Sequence, residues 1–503
     1  VTTVRYAFGL AALALVCGSL TVASLALRRR FLSYLEGAFA WLAGIVIALS
    51  LLVLILELLG AVGLFRLGPI LVASVLCAFA VLRLAGWKRR PPDAARNIPG
   101  FGALLVTVLT AAVLIAEYAG PSLTSYEFGI RGFDSLWYHL PWAASFAQSG
   151  QITSLRFTDV EYLTAFYPAT AELLHGLGIV LIGRDTLSPG LNAVWLGLSL
   201  LAAYCIGRPR GLGHATMLGA ALALAAPTMT LSQGGSAAND IVGIFFVLSA
   251  TAFLLAGEGR PGELALAGLA AGLAVSVKLS MLAPAVLLVL AGIAAGGEVR
   301  RRRRTTILIG TLALAGGFWY LRNLISVGNP LPWVGIPGLA TPAPALQQHT
   351  GFSIAHYLTD THIWSTFFGP GLRGGLGDLW PVVLFVAIAG PLLCLARGTS
   401  RIARLGALAA LLTLLAYLVT PESAAGPAGQ PLGFAFNLRY GIPALALALA
   451  VAPLAPPLNS SPARRQLTAG ALGALLIVTL LQDRLWPHRQ LLGAIGVGAA
   501  VLL

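Results

Sequence analysis

The sequence predicts an all-α polytopic membrane protein with about fifteen spans. Three observations carry that prediction. The chain of 503 residues is 58% hydrophobic and only 10% charged, against about 25% charged residues in soluble domains. Apolar runs close to the ~20 residues needed for one crossing recur along its whole length. These runs are rich in Leu and Ala with little Thr/Tyr alternation, which is the pattern of helices rather than of a barrel.

The runs fall in order. Spans are expected near 6–26, 38–62, 67–86 and 101–118, before a long polar-aromatic interval. Further spans are expected near 188–206, 212–230, 240–256, 262–279, 281–297 and 305–322. After a second long interval, 324–378, the last runs lie near 379–396, 405–420, 440–455, 466–481 and 490–503. The first run is longer than a signal-peptide core and has no basic stretch before it, so it reads as a retained span. The opening Val1 and the unflanked last run lead us to expect that the chain continues beyond both ends. The four cysteines, Cys17, Cys77, Cys205 and Cys394, lie in or beside spans at no metal-like or disulfide-like spacing.

A formal charge of +14 raises the question of nucleic acid. Its distribution argues against it. Arg28–Arg30, Lys88–Arg90, Arg208 with Arg210, Arg300–Arg304, Arg397/Arg401/Arg404 and Arg464/Arg465 all sit at span ends. Alternation of the predicted spans puts every one of these clusters on one side, as positive-inside placement requires. The partners implied are membrane lipids, not nucleic acid. The same alternation places 119–187, the turn "QGGSAAND", 323–378 and "TPESAAGPAGQPLGFAFNLRY" on the opposite, outer side. Large outer loops above short inner ones point to outward-facing chemistry or recognition.

The first outer loop holds "RGFDSLWYHLPWAASFAQSGQ". Leu136, Leu140, Ala143, Ala144 and Ala147 recur at helical spacing, and Trp137 and Trp142 suit the headgroup level, so a helix lying in the interface is expected. A second helix, over 167–183 with a proline start, is apolar over little more than half a crossing, so it is expected to be interfacial or re-entrant, with Glu172 and His175 on one face. Asp134 stands just before the first helix, where an aspartate commonly caps first-turn N–H groups. On an α-helix Tyr138 falls one turn from Asp134 on the same face. His139 falls about 140° away, so this spacing does not make an Asp–His dyad. Asp159 and Glu161 add acids between the two helices. Asp240 closes the turn "QGGSAAND". Lys278, in "AAGLAVSVKLSML", is costly among apolar residues unless it pairs or reaches the headgroups. Arg322 with Asn323 ends one span and Arg439 begins another, and a guanidinium grips phosphate through two parallel hydrogen bonds. His349, His356, Asp360, His362 and Trp364 gather in the second long loop without a strict helical His pair, and a lid over the cavity is the expected role there. "GLAAGLA" has the small-residue spacing that lets helices pack closely; no dinucleotide or P-loop motif is present.

These motifs resemble, in order, those of the membrane glycosyltransferases of the C-type (GT-C) fold that use sugars on polyprenyl phosphate. That group includes the protein O-mannosyltransferases and the lipid A aminoarabinose transferases. The resemblance is carried by "GFDSLWYHLPWA", "FYPATAELLHGLG", "GGSAANDI", "GLAAGLAVSVKLS", "WYLRNLISVGNPLPW" and "FNLRYGIPAL", over about 101–455. It divides the chain into an N-terminal transmembrane extension (1–96), a GT-C-like catalytic module (97–323), an outer loop acting as a lid (324–378) and C-terminal transmembrane helices (379–503). Three spans precede the one that leads into the catalytic loop, a departure from the family's usual single span.

The resemblance implies a GT-C transmembrane bundle in a bacterial plasma membrane, with its active site on the extracytoplasmic face. It implies transfer of a sugar from a polyprenyl monophosphate donor to a hydroxyl of a lipid-linked glycan, a cell-wall polymer or a protein. It makes Asp134 the candidate general base and Asp240 the second acid, with Tyr138 and His139 beside them. The donor-phosphate and substrate candidates are Lys278, Arg322, Arg439, Glu172 and His175. A single carboxylate that activates the acceptor gives an inverted product. A divalent ion is compatible with this chemistry, but nothing in the sequence demands one. Two alternatives remain: a ligase or polymerase of lipid-linked glycans, for which Arg322 and Arg439 would hold a diphosphate, and a lipid or polyisoprenoid flippase, which would place charges near midplane along a path.

Overall fold

A computed structural model describes residues 2–86, 100–158, 163–256, 259–340, 352–396, 399–482 and 490–502. Asp159, Glu161, Lys88–Arg90, His349 and Arg397 lie outside the described residues. Those described form a helical body with no strand; one isolated antiparallel bridge joins Phe352 to Ala424. It is a multi-pass membrane protein.

Four long apolar helices come first: α1 (Thr3–Phe31), α2 (Gly37–Ala61), α3 (Leu67–Ala85) and α4 (Phe101–Phe128). The loop that follows contains a π-helical turn over Ser135–His139, then α5 (Leu140–Ser149), and later α6 (Thr170–Ile182). α7 (Ser188–Gly207) returns through the body. α8 (Gly213–Leu224) bends by 70° into α9 (Pro227–Gln233). The break is at Pro227, which has no N–H to continue the ladder. α10 (Asp240–Leu255), α11 (Pro261–Val277) and α12 (Leu282–Ala294) are shorter. α13 (Glu298–Gly316) bends by 66° at Gly317 into α14 (Phe318–Val327). The later helices cover Trp380–Cys394, Arg401–Val419, Ile442–Val451, Pro462–Gln482 and Leu491–Ala500.

Among the described residues eight helical segments are long and apolar enough to span, or eleven if each bent pair counts as one crossing. The sequence-based figure of about fifteen is not confirmed. α10 has 16 residues, α11 has 17 and the last helix 10, and apolar composition alone had not distinguished such lengths from full crossings. α10 is nevertheless buried along its whole length, so its neighbours rather than lipid surround it.

Close backbone contact holds the centre. Gly268 and Gly272, the "GLAAG" pair of α11, face α13: a Cβ on Gly268 would lie 2.7 Å from the Leu308 carbonyl, and one on Gly272 would strike the Leu312 carbonyl. Only glycine lets these helices approach so closely.

The first three helices do not stand apart. They pack on the loop helices in a second apolar core, built from Ala12, Val16, Leu56, Phe65, Trp142, Phe146, Leu177 and Leu181 among others. Backbone bonds join the parts: Phe65 N–H donates to Gly150 O at 2.9 Å and Ile152 N–H to Gly60 O at 3.1 Å. α1–α3 thus serve as the bed on which α5 and α6 rest.

Two ends follow from the helix directions. Arg208 donates to Glu36 O, Arg210 to Leu255 O and Arg304 to Gly292 O, at 2.8–3.0 Å, and Arg260 covers the Tyr34 ring. The basic clusters therefore gather at one end. Asp240 and Lys278 lie at the opposite ends of the same helices, α10 and α11.

Candidate active site

Two potential caps turn out to be engaged elsewhere. Asp134 has helical dihedrals and its carboxylate caps nothing; it forms an ion pair with the Arg439 guanidinium. Asp240 is the first residue of α10, behind Asn239. Its carboxylate receives Lys278 Nζ at 2.7 Å and Gln233 Nε2 at 3.0 Å, and lies 3.9 Å from Arg439 Nη1. Four charged groups from four separate segments thus meet: Asp134, Asp240, Lys278 and Arg439. Both carboxylates and the guanidinium are buried, while Lys278 keeps 12% of its side chain exposed. Charges this deep persist only when paired, and formally the quartet sums to zero.

Local structure delivers each cation. Lys278 stands in extended conformation at the break between α11 and a 3-10 turn, Leu279–Met281, and its ammonium lies 5.0 Å over the Tyr440 ring. Arg439 lies in a 3-10 turn, Leu438–Gly441, that leads into Ile442–Val451. Its guanidinium packs 4.0 Å from the Phe436 ring and 5.1 Å from Tyr440, and Nη2 also donates to the Tyr440 hydroxyl at 3.3 Å. The Arg439 Nε–H is buried and has no hydrogen-bond partner. A charged donor left open in such a place fits an anion.

The π-helical turn revises the reading of Tyr138 and His139. An i→i+5 turn carries one more residue than an α-turn, so both side chains turn inward, buried, with ring centroids 4.0 Å apart. His139 Nδ1 pairs with the Glu172 carboxylate, not with Asp134. Asn239 Nδ2 donates to the same carboxylate at 3.3 Å and to Val277 O at 3.2 Å. Burial pushes the Tyr138 phenol well above its ordinary value. His175 faces Ser188 Oγ at 2.9 Å, and burial drives its imidazole down to about 3. His139 and Glu172 are thus tied to Asn239, the residue before Asp240, while His175 is bonded to Ser188 on α7.

Arg322 lies elsewhere. Its guanidinium donates to Ala165 O at 2.9 Å, to Tyr167 O at 3.4 Å and to Asn323 Oδ1, above the Trp319 ring. Asn323 Nδ2 donates to Phe166 O at 2.9 Å. Together they hold the 163–167 turn in place. No contact joins Arg322 to the charged quartet.

Three amides were missed in the sequence. Gln233 donates to Asp240 while its Oε1 accepts from Ile241 N–H at 3.3 Å. Asn192, inside α7, donates from Nδ2 to the carbonyls of Gln233, Ser236 and Ala238 at 2.9–3.2 Å. Asn239 joins the turn to Glu172. An amide within an apolar run has to find partners, and that was the available signal.

No family model matches the sequence, and no curated protein does. Solved structures do. The chain is similar to ArnT from Cupriavidus metallidurans. The crystal structure of that protein bound to undecaprenyl phosphate is 17% identical, covers 80% of this chain and 75% of that one, and has a TM-score of 0.43. Its apo structure gives 18% identity, the same coverage and the same TM-score. The arabinofuranosyltransferase AftD from Mycobacteria, solved by electron cryo-microscopy, gives 18% identity and a TM-score of 0.44 over 79% of this chain and 27% of that one. The similarity is low in both sequence and superposition, so the reading below rests on the cluster itself.

The 352–376 segment lies against 421–434. Ile354 N–H donates to Ser423 Oγ at 3.0 Å, Gly429 N–H to the Tyr357 hydroxyl at 2.9 Å, and the Phe368 and Phe434 rings stand 4.4 Å apart. Asp360 caps a short turn through His362 N–H and Ile363 N–H, and His356 stacks on Phe352. Among the described residues no three acids, histidines or cysteines are grouped to hold a metal.

Proposed function

We propose that this protein is a membrane glycosyltransferase that moves a sugar from a polyprenyl monophosphate donor to an acceptor hydroxyl on the extracytoplasmic face, with inversion. The observation that carries the reading is the buried Asp134–Arg439 pair beside Lys278 and Asp240, with an open donor on Arg439. A donor phosphate entering from the membrane takes the Arg439 fork and the partly exposed Lys278 ammonium. It thereby competes with Asp134 for Arg439 and releases that carboxylate to accept a proton. The acceptor oxygen attacks the anomeric carbon as the carbon–oxygen bond to phosphate breaks. The bonding electrons leave with the phosphate, and the acceptor proton passes to Asp134. One displacement inverts the anomeric centre.

In this reading Asp240 holds Lys278 in place, and Gln233 and Asn192 hold Asp240. The acceptor is a lipid-linked glycan, a cell-wall polymer or a protein. A ligase acting on a lipid diphosphate calls for a further cation, and Arg322 is committed to loop carbonyls. A flippase calls for charges spread along a path, whereas these meet at one end of α10 and α11.

The test is purified protein incubated with a panel of polyprenyl phosphate sugars together with lipid-linked glycans, cell-wall polymer fragments and peptides as acceptors. One donor is expected to release free polyprenyl phosphate, and the product should have the opposite anomeric configuration by NMR. Retention of configuration, or no turnover of any monophosphate donor alongside turnover of a diphosphate one, overturns the reading.

A further inference from the structure

A second polar group is buried within the spanning helices, and the reaction above has no use for it. Glu57 lies in α2, four residues from its C-terminal end, and is 2% exposed. Among the described residues it is the only carboxylate lining a cavity of about 340 Å³ between α1, α2, α11 and α13. Apart from Ser50 the other lining residues are apolar, Leu27, Leu51, Leu266, Leu269 and Leu314 among them. From Gly262 to Leu273 on α11 the cavity runs about 16 Å at 1.5 Å per residue. That is about half of a bilayer's ~30 Å hydrocarbon core, the depth of one chain in one leaflet.

Glu57 marks the head of this cavity. The Thr170 hydroxyl lies beside the carboxyl group and accepts from Trp319 Nε1 at 2.9 Å. The Glu57 Oε1 atom has no partner. An acid inside a membrane is costly and marks a function by default. Glu57 lines the slot and its Oε1 is without a partner, a group that a ligand carrying one donor at the end of a hydrocarbon chain would satisfy.

We propose that this cavity binds a single hydrocarbon chain of a membrane lipid whose hydroxyl donates to Glu57. A hydroxyl fits better than an ammonium, because an ion pair here would require two charges to be desolvated in apolar surroundings. The site is distinct from the charged quartet. Thr170 and Glu172 lie about 200° apart on α6, so the cavity and the Glu172–His139 pair are on opposite sides of that helix. The proposal does not depend on the transferase reading. It gives the first two helices a binding role besides their support of the loop.

The experiment uses the full chain in detergent and a diazirine-bearing hexadecanol, with labelled peptides mapped by mass spectrometry. Labels are expected on α2 and α11. Unlabelled hexadecanol should compete at least tenfold better than its methyl ether or hexadecylamine. Glu57→Leu should abolish that preference while leaving labelling by a diazirine alkane unchanged. Leu269→Trp, which fills the slot, should prevent labelling, and Leu51→Trp serves the same purpose on the facing helix if that variant does not fold. Labels spread evenly over all lipid-facing helices, or equal competition by alcohol and ether, would overturn the proposal. Stronger competition by the amine would overturn the choice of hydroxyl.

Discussion

The two ends of the helical body use arginine differently. At one end, Arg208, Arg210 and Arg304 donate to the carbonyls of Glu36, Leu255 and Gly292, and Arg464 and Arg465 do the same for Pro457 and Asn459. These guanidiniums satisfy chain ends and stay at least partly exposed. At the other end, Arg439 is buried against the Asp134 carboxylate and near that of Asp240. One set anchors helices where water remains available. The other sets buried charge against buried charge, which persists only when each is paired. Arg322 shows that position alone does not decide: it is buried like Arg439 but donates to loop carbonyls.

The comparison can be broken from either side. Arg439→Ala leaves Asp134 buried without its cation, and breaking such a pair costs about 3–5 kcal/mol. Thermal unfolding in detergent should show that loss, and sugar transfer should vanish. Arg439→Lys should recover most of the stability but little of the transfer, because an ammonium lacks the fork. Next in size is Asn192→Leu. It removes the donor to three carbonyls and should cost about 1–3 kcal/mol, with a roughly tenfold fall in transfer as Asp240 loosens. Smallest is Arg208→Ala at the opposite end. An exposed contact of this kind is worth about 1 kcal/mol or less, and transfer should be unchanged. A large transfer defect in Arg208→Ala would erase the distinction between the ends.

Much of the layout was legible because lipid imposes strict rules. Runs of Leu and Ala between arginine clusters define helices and their direction, and α10 and α11 do run from the basic end to Asp240 and Lys278. Those two residues, with Asp134 and Arg439, were legible as charges that apolar neighbours cannot satisfy. Their mutual pairing was not, since it depends on packing between segments up to three hundred residues apart. The π-helical turn was invisible as well: the α-helical spacing set His139 away from the acid, and one extra residue in the turn directs it to Glu172. Bends at Pro227 and Gly317 and the short α10–α12 were hidden because apolar composition does not report where a helix stops. Glu57 lay unmarked within an apolar run, although its carboxylate was the signal.

The central claim is that Asp134 accepts the acceptor's proton once a phosphate has taken Arg439. Asp134→Asn tests it most directly, with transfer and donor-lipid binding measured on the same purified protein. Transfer should fall by about a thousandfold or more, while affinity for polyprenyl phosphate is retained or rises, because Arg439 no longer has a competing carboxylate. Near-normal transfer by the variant, or loss of phosphate-lipid binding in a protein that still folds, would contradict the account.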